Sequence, residues 1–471
     1  MSKNELENLT KKFDSVWDKL TAEDIKAVME FSENYKEFMD ASKTEREAVN
    51  EIVKRATEKG YINLNDAIKE NRKLNTGDKI YAINKEKAVA LFVIGKDKIE
   101  NGMNIVGSHI DSPRIDLKPN ALYEDEGFAL LETHYYGGIK KYQWVTIPLA
   151  LHGVVVKKGG EKVNVVIGED ENDPVLYITD LLIHLSADQM EKKLAKGIEG
   201  EDLNVLIGSQ PIEDKEAKGR VKLNILRLLN EKYGMNEEDF ITAEFEIVPA
   251  GKSRDVGLDR SMVMAYGHDD KVCAYTSLEA ILEINEPEKT CVALFVDKEE
   301  IGSNGATGMH SKFFENALAE IMNLKGEYTE LNLRRALANS KMLSSDVTAA
   351  FDPIYPSVLE KKNSAYMGKG IVITKYTGSR GKYSCNDANA EFLGEIRDLF
   401  NANNITWQTG ELGKVDQGGG GTIAYITAEY GMEVVDCGVA LLSMHAPWEI
   451  ASKVDIYETY KAYKVFLQHI K

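Results

Sequence analysis

"TCVALFVDKEEIG", residues 290–302, joins a short apolar run to three acidic side chains. The run "TCVALFV" (290–296) reads as a buried strand. Asp297, Glu299 and Glu300 then stand close together at its exit. Like charges repel, and most strongly where water is scarce. A basic partner, open solvent or a bound metal has to offset that repulsion, and the rest of the chain must say which.

Working outward, "KAVALFVIG" (87–95) and "GMNIVGSHI" (102–110) are apolar runs of the same kind, the second ending at polar residues. From about residue 270 onward the pattern alternates. Strands are expected at 370–376, 404–410 and 434–445, with helices at 272–284, 388–404 and 454–470. Alternation of this kind predicts an α/β fold with a central sheet flanked by helices. Sites in such sheets lie at the carboxyl ends of strands. Residues 1–66 read as helical, with Phe13, Val16, Trp17 and Leu20 spaced to line one helix face.

A change of pattern comes at about residue 118. "WVTIPLALHGVVVKKGGEKVNVVIG" (144–168) reads as a hairpin turning at "KKGGEK". "LLIHLSADQMEKKLAKG" (181–197) has mixed helical character, and "ITAEFEIVPAG" (241–251) is strand-like. These segments predict a mostly β domain at 118–249, inserted into a catalytic domain formed by 1–117 and 250–471.

Composition sets outer bounds. The 471 residues are 43% apolar and 28% charged, ordinary for a globular protein with a sizeable core. A formal charge of −18 argues against a nucleic-acid partner. The polar start, "MSKNELENLTKKFDSVWDKL", has no signal-peptide core, and no run is long enough to span a membrane. Four scattered cysteines form no CxxC pair. A cytoplasmic location with free thiols is expected.

The candidate site collects around two of the eight histidines. "GSHIDSPR" holds His109 and Asp111, and "SMHAPWE" holds His445. "YGHDDKVCA" supplies Asp269 and Asp270, and "SSDVTAA" supplies Asp346. Imidazole nitrogens with carboxylate oxygens suit zinc and its neighbours. One divalent ion would relieve the crowded acids. Two ions sharing a bridging carboxylate would relieve more and would hold a hydroxide for attack on a carbonyl. Asp111 is placed to accept the second N–H of His109. Of Glu299 and Glu300, one would bind metal and the other act as general base. Adjacent residues of a strand point to opposite faces, so the chain must twist there, with Gly302, Gly305 and Gly308 allowing it. Each piece alone also fits a solvated strand end or an ordinary hydrogen-bonded histidine. An EF-hand is excluded by Ile301 at its fifth position, and HExxH, P-loop and GxSxG motifs are absent.

At these residues the sequence resembles the aspartyl aminopeptidases, cocatalytic-metal exopeptidases among the dinuclear-zinc aminopeptidases. The resemblance runs the length of the chain through "GSHIDSPR" (107–114), "LLIHLS" (181–186), "GHDDKVCAY" (267–275), "DKEEIGSNGATG" (297–308), "SSDVTAAFDP" (344–353), "MGKGIVITKY" (367–376) and "CGVALLSMHAPWE" (437–449). It implies a zinc-exopeptidase-like sheet and an inserted dimerisation domain. It implies two divalent ions per subunit, zinc first, with cobalt or manganese also admissible. His109, Asp269 and Glu300 would hold one ion. Asp346 and His445 would hold the other, with Asp269 as the bridge. Glu299 would be the general base and Asp111 the orienter of His109. His184 would reach a neighbouring subunit's site. Lys369 would face an acidic amino-terminal side chain, so peptides beginning with Asp or Glu are the expected substrates. The glycine run in "KVDQGGGGTIAY" (414–425) departs from commoner family forms and weakens that preference. Dimers would assemble into a closed tetrahedral dodecamer. A broad dinuclear-metal aminopeptidase with a neutral or other preference is the first alternative. The second is a non-catalytic assembly protein with a structural metal site, against which the spare Glu299 argues.

Overall fold

The computed structural model describes residues 9–10 and 14–471. Its centre is a nine-stranded sheet. In spatial order the strands are Ile62–Asn63, Lys79–Asn84, Ala88–Val93, Cys291–Val296, Asn104–His109, Lys341–Ser344, Glu433–Gly438, Ile371–Thr374 and Trp407–Thr409. The four from Cys291–Val296 to Glu433–Gly438 run parallel, so their carboxyl ends meet along one edge. Val296 lies opposite His109, and Ser344 lies between Gly107 and Asp436.

Helices cover both faces, which is why these strands read as unbroken apolar runs. Cys291, Ala293 and Phe295 enter one core with residues of helices Ala22–Asp40, Glu45–Glu58, His268–Leu282, Ala390–Ala402 and Lys453–His469. Val292, Leu294 and Val296 enter the other with Leu64–Lys69, Phe313–Lys325, Glu330–Ala338 and Ala424–Ala428. Each fully buried Val, Leu or Phe contributes about 1.5–3 kcal/mol. A one-residue slip of the Asn104–His109 strand would exchange the two cores and carry His109 to the wrong face, so burial fixes the register of the site.

The inserted β-rich domain is a six-stranded antiparallel sheet, in the order Lys162–Ile167, Leu149–Val156, Ala243–Pro249, Arg114–Asp125, Phe128–Tyr136 and Val205–Gly208. Trp144, Leu149 and Ile247 lie at its core, and the helix Arg220–Tyr233 packs on it through Val221. A smaller five-stranded sheet, Arg254–Val256, Met262–Ala265, Glu449–Ser452, Ala440–Leu442 and Thr348–Ala349, lies beside the ends of the central strands.

Two expectations need correction. The amino-terminal stripe is not one helical face. Trp17–Lys19 is a single 3-10 turn, and the first long helix starts at Ala22 behind a Thr21–Asp24 capping box. Val16 is buried against Val28 and Val454, and its N–H donates to Gly368 O at 2.8 Å. Tertiary contacts, not helix periodicity, set that spacing. Phe13 lies outside the described residues. The segment 181–197 forms only single turns, at Ile183–Leu185, Ala187–Met190 and Leu194–Gly197. Among the described residues no helix is long and apolar enough to cross a membrane.

Candidate metal centre

Asp269, at the start of the helix His268–Leu282, sits between two imidazoles. Its Oδ1 is 3.1 Å from Nε2 of His109 and its Oδ2 is 3.2 Å from Nε2 of His445. His109 ends a central strand, and Asp346 follows the next strand by two residues. His109, Asp269 and Asp346 form one group with ligand atoms within 4.8 Å of one another, and Asp269, Glu300 and His445 form a second. The carboxylate shared by the two groups is thus Asp269.

This grouping corrects the one implied by the resemblance, which set Glu300 with His109 and Asp346 with His445. The reason is the turn after Val296. Glu299–Ile301 is a 3-10 turn bounded by Lys298 and Gly302, both with positive φ. It sends the two glutamates in different directions. Glu300 Oε2 comes within 3.6 Å of His445 Nε2, and Glu299 Oε2 lies 3.9 Å from His109 Nε2. Glu299 belongs to neither ligand group among the described residues.

Other groups hold this arrangement. Asp111 is buried, and its Oδ1 and its backbone carbonyl lie 3.3 and 3.0 Å from Nδ1 of His109. Both acceptors favour the proton on Nδ1, leaving Nε2 free as a ligand. The Asp111 carboxylate also accepts the backbone N–H groups of Glu299 and Glu300, each at 3.2 Å, and the Tyr136 hydroxyl at 2.8 Å. It therefore orients one histidine and pins the glutamate turn. The corresponding acceptor for His445 is a backbone carbonyl, Gly138 O, 2.8 Å from Nδ1. Gly138 lies just beyond the Phe128–Tyr136 strand, so the inserted domain touches the site here. Glu449 is buried and accepts the backbone N–H groups of Asp269 at 3.0 Å and His445 at 2.6 Å. Neither Gly138 nor Glu449 was singled out from the sequence. A carbonyl has no sequence signature, but a glutamate four residues after His445 was a readable signal.

The electrostatics fit bound cations. Burial, with the charge of Asp269, holds the Glu300 carboxyl well above the usual range. Burial and the neighbouring Asp270 do the same to Asp346. Burial raises Glu299 to about 7, although His109 pulls it back. Burial disfavours charge on both histidines. Asp111 and Asp269 outweigh this at His109, raising it well above its ordinary value. Asp269 and Glu300 raise His445 to about 10. Glu300 Oε1 is buried with no hydrogen-bond partner. Crowded acids that hold their protons, two imidazoles and an orphaned ligand oxygen are what two divalent ions would satisfy.

The site opens into a cleft of about 980 Å³. Glu299, Glu300, Asp346 and His445 line it, with Asp436 and Thr422 on another part of its wall. Lys369 does not line it, which corrects its assignment as the residue facing an acidic side chain. It sits at the entry to the strand Ile371–Thr374, between Gly368 and Gly370, whose N–H groups donate to Asp455 at 2.6 and 2.7 Å. The cleft meets that strand at its other end, at Thr374. His184 is exposed on the 3-10 turn Ile183–Leu185 and does not line the cleft of its own chain.

Residues 38–467 match the family described as aminopeptidase I zinc metalloprotease (M18). A probable M18 family aminopeptidase 1 from Clostridium acetobutylicum is 61% identical over 462 residues, covering 98% of this chain and 99% of the relative. The crystal structure of aminopeptidase I from the same organism superposes with a TM-score of 0.91 at 59% identity, covering 98% of this chain and 100% of that one. An M18 family aminopeptidase from Thermotoga maritima gives a TM-score of 0.93 at 46% identity, covering 98% and 100%. These relatives overturn the resemblance to aspartyl aminopeptidases: the chain groups with aminopeptidase I, and preference for acidic amino-terminal residues loses its support.

Proposed function

The chain belongs to the aminopeptidase I zinc metalloprotease (M18) family and is a metal-dependent aminopeptidase with a dinuclear metal site; from that premise we propose that it removes amino-terminal residues from peptides with broad rather than acidic preference. The Asp269 carboxylate, with one oxygen toward each histidine at 3.1 and 3.2 Å, carries the dinuclear aminopeptidase reading, and the similarity to aminopeptidase I supports the broad preference. His109 and Asp346 would complete one ion's ligands, and Glu300 and His445 the other's. Zinc fits this mixture of nitrogen and oxygen donors, as cobalt and manganese do. The bound ions would supply Lewis acidity to the scissile carbonyl and lower the pKa of water.

This chain's side chains do the rest. Glu299 lines the cleft outside both ligand groups and is the general base, taking a proton from the attacking water and delivering it to the departing amide nitrogen. Asp111 holds His109 in the ligating tautomer and fixes the turn that aims Glu299. Gly138 does the same for the tautomer of His445. Homo-oligomeric assembly is supported by the inserted domain's surface. Leu181, Leu182, Ile183, Leu185, Met190 and Leu194 are all more than half exposed. Apolar exposure on that scale marks a protein contact, and we assign it to a second copy through the insert, with His184 carried toward the neighbouring cleft. The resemblance's dodecamer of such dimers belongs to the same reading.

The test is hydrolysis of a panel of unblocked and amino-blocked dipeptides by the metal-loaded protein, with a chelated control and metal content measured in parallel. Cleavage of unblocked peptides only, lost on chelation and restored by added zinc, is the expected result. Cleavage restricted to Asp and Glu peptides would overturn the broad preference, and cleavage of blocked peptides would overturn the amino-terminal requirement.

A further inference from the structure

The carboxylate of Asp269 belongs to both ligand groups, so its aim has to be set by something other than the ions. The backbone of this residue shows how. Its φ of −78° and ψ of 107° are extended, although it stands in the first turn of the helix His268–Leu282. Its carbonyl therefore leaves the helix direction and needs a partner outside the helical ladder. Ser112 supplies one: the hydroxyl donates to Asp269 O at 2.8 Å. Behind Ser112 lies Lys271, whose Nζ donates to the hydroxyl oxygen at 2.7 Å. An ammonium only donates and a carbonyl only accepts, so the order runs from Lys271 through Ser112 to Asp269.

Burying an ammonium is costly. Lys271 is 0% exposed. Among the described residues it forms no ion pair, and besides Ser112 its Nζ meets the ring of Tyr266, 5.1 Å from the centroid. Glu449, Glu246, Asp111 and Glu45 attract its charge from farther off. An apolar side chain would fill this space at less cost. What the ammonium adds is polarisation of the Ser112 hydroxyl, which strengthens and directs its bond to Asp269. The chain also keeps room for the contact. Gly267 has a φ of +73°, and a Cβ there would collide with Lys271 Nζ and stand 2.6 Å from Ser112 Oγ.

We infer that Lys271 and Ser112 are positioning residues that set the aim of the bridging carboxylate. This rests on the dinuclear reading, with Asp269 between the ions. Ser112 follows His109 by three residues, so the strut ties the strand exit that carries one imidazole to the helix start that carries the bridge. On the other side of Asp269, Glu449 accepts the backbone N–H at 3.0 Å. With the N–H and the C=O both held, the Cα–Cβ bond keeps one direction, and each carboxylate oxygen keeps its histidine.

The experiment compares the wild-type protein with Lys271→Met, Ser112→Ala and the double variant, each loaded with cobalt. It reads the affinity of both ions by chelator competition, the visible spectrum of the two-ion form, and kcat and KM for one unblocked dipeptide. In each single variant both ions should bind about 10–100-fold more weakly and the spectrum should shift. At saturating cobalt kcat should fall by a similar factor while KM stays near its wild-type value. The double variant should be no worse than the poorer single one, because both cut the same strut. Losses that multiply in the double variant, or a single variant with wild-type spectrum and kcat, would overturn the assignment. If K271M does not fold, S112A decides alone. A wild-type protein that binds fewer than two cobalt ions would remove the dinuclear reading and this one with it. Two ions in the wild type, held unchanged in the variants, would remove this one only.

Discussion

The two halves of the metal centre share Asp269 but are built differently. His109 is buried at the end of a central strand, and its Nδ1 faces the carboxylate and carbonyl of Asp111. His445 has a side chain 36% exposed, a φ of +64°, and only the carbonyl of Gly138 behind its Nδ1. One half is set into the sheet, where packing fixes it. The other is assembled from a loop and the neighbouring inserted domain. A buried ligand supported by a charged acceptor binds its ion more firmly than an exposed one supported by a neutral acceptor. The His109 side would therefore be the resident half and the His445 side the exchangeable half.

The harshest way to break this contrast is to remove what the halves share. Asp269→Asn should abolish both ions and all measurable hydrolysis, seen by metal analysis and assay together. One ion retained at full affinity would show that the halves do not depend on a common carboxylate. Glu299→Gln leaves both halves intact and should lower kcat by roughly 10²–10⁴-fold while two ions remain bound. Near-normal kcat would move the base elsewhere.

A gentler test separates the halves. Dialysis against a weak chelator should pass through a one-ion protein, and His445→Ala should bind one ion from the outset. With cobalt as probe, the visible spectrum of the one-ion state should match that of His445→Ala. Simultaneous loss of both ions would erase the distinction. Gly138→Ala is milder, since its Cβ would stand 3.3 Å from Nδ1 of His445. It should weaken only the exchangeable ion.

The smallest expected effect concerns the seam that places Gly138. His152, on the inserted sheet, is buried between Glu47 at 2.7 Å and Glu169 at 3.0 Å. Burial opposes its charge, but the two carboxylates raise it to about 9. Its folded value lies above its unfolded one. The stabilisation is therefore complete below about pH 6.5 and is lost as pH rises through about 9. Thermal melts of His152→Gln should lack that component, on the order of 1–3 kcal/mol. A wild-type protein equally stable at pH 6.5 and pH 9.5 would contradict it.

Much of this was legible in the sequence because burial writes itself into composition. "CVALFV" and "NIVGSH" read as strands because both faces of each are covered. His109, Asp269, Glu299, Glu300, Asp346 and His445 stood out because polar residues at strand exits interrupt that pattern. Which acid served which histidine was not legible, since a single 3-10 turn after Val296 decides it and adjacent glutamates look alike. Lys369 was misplaced because sequence proximity to a strand does not say which end faces the cleft. The twelve-residue strand Arg114–Asp125 was hidden by Pro119 and by its charges, of which Arg114 pairs across the domain seam with Glu45. The stripe from Val16 to Leu20 mimicked a helix because contacts with distant segments happened to share its spacing.

Glu449 has a consequence for how the protein is made. Its carboxylate ties the backbone of Asp269 to that of His445. During translation the ribosome has produced His109, Asp269, both glutamates and Asp346 long before it reaches either closing residue. Until residues 445–449 emerge, the nascent chain holds an acidic half-site with no second histidine and no strap across it. Peptide-cleaving capacity therefore waits on a segment more than a hundred residues downstream of the glutamate turn.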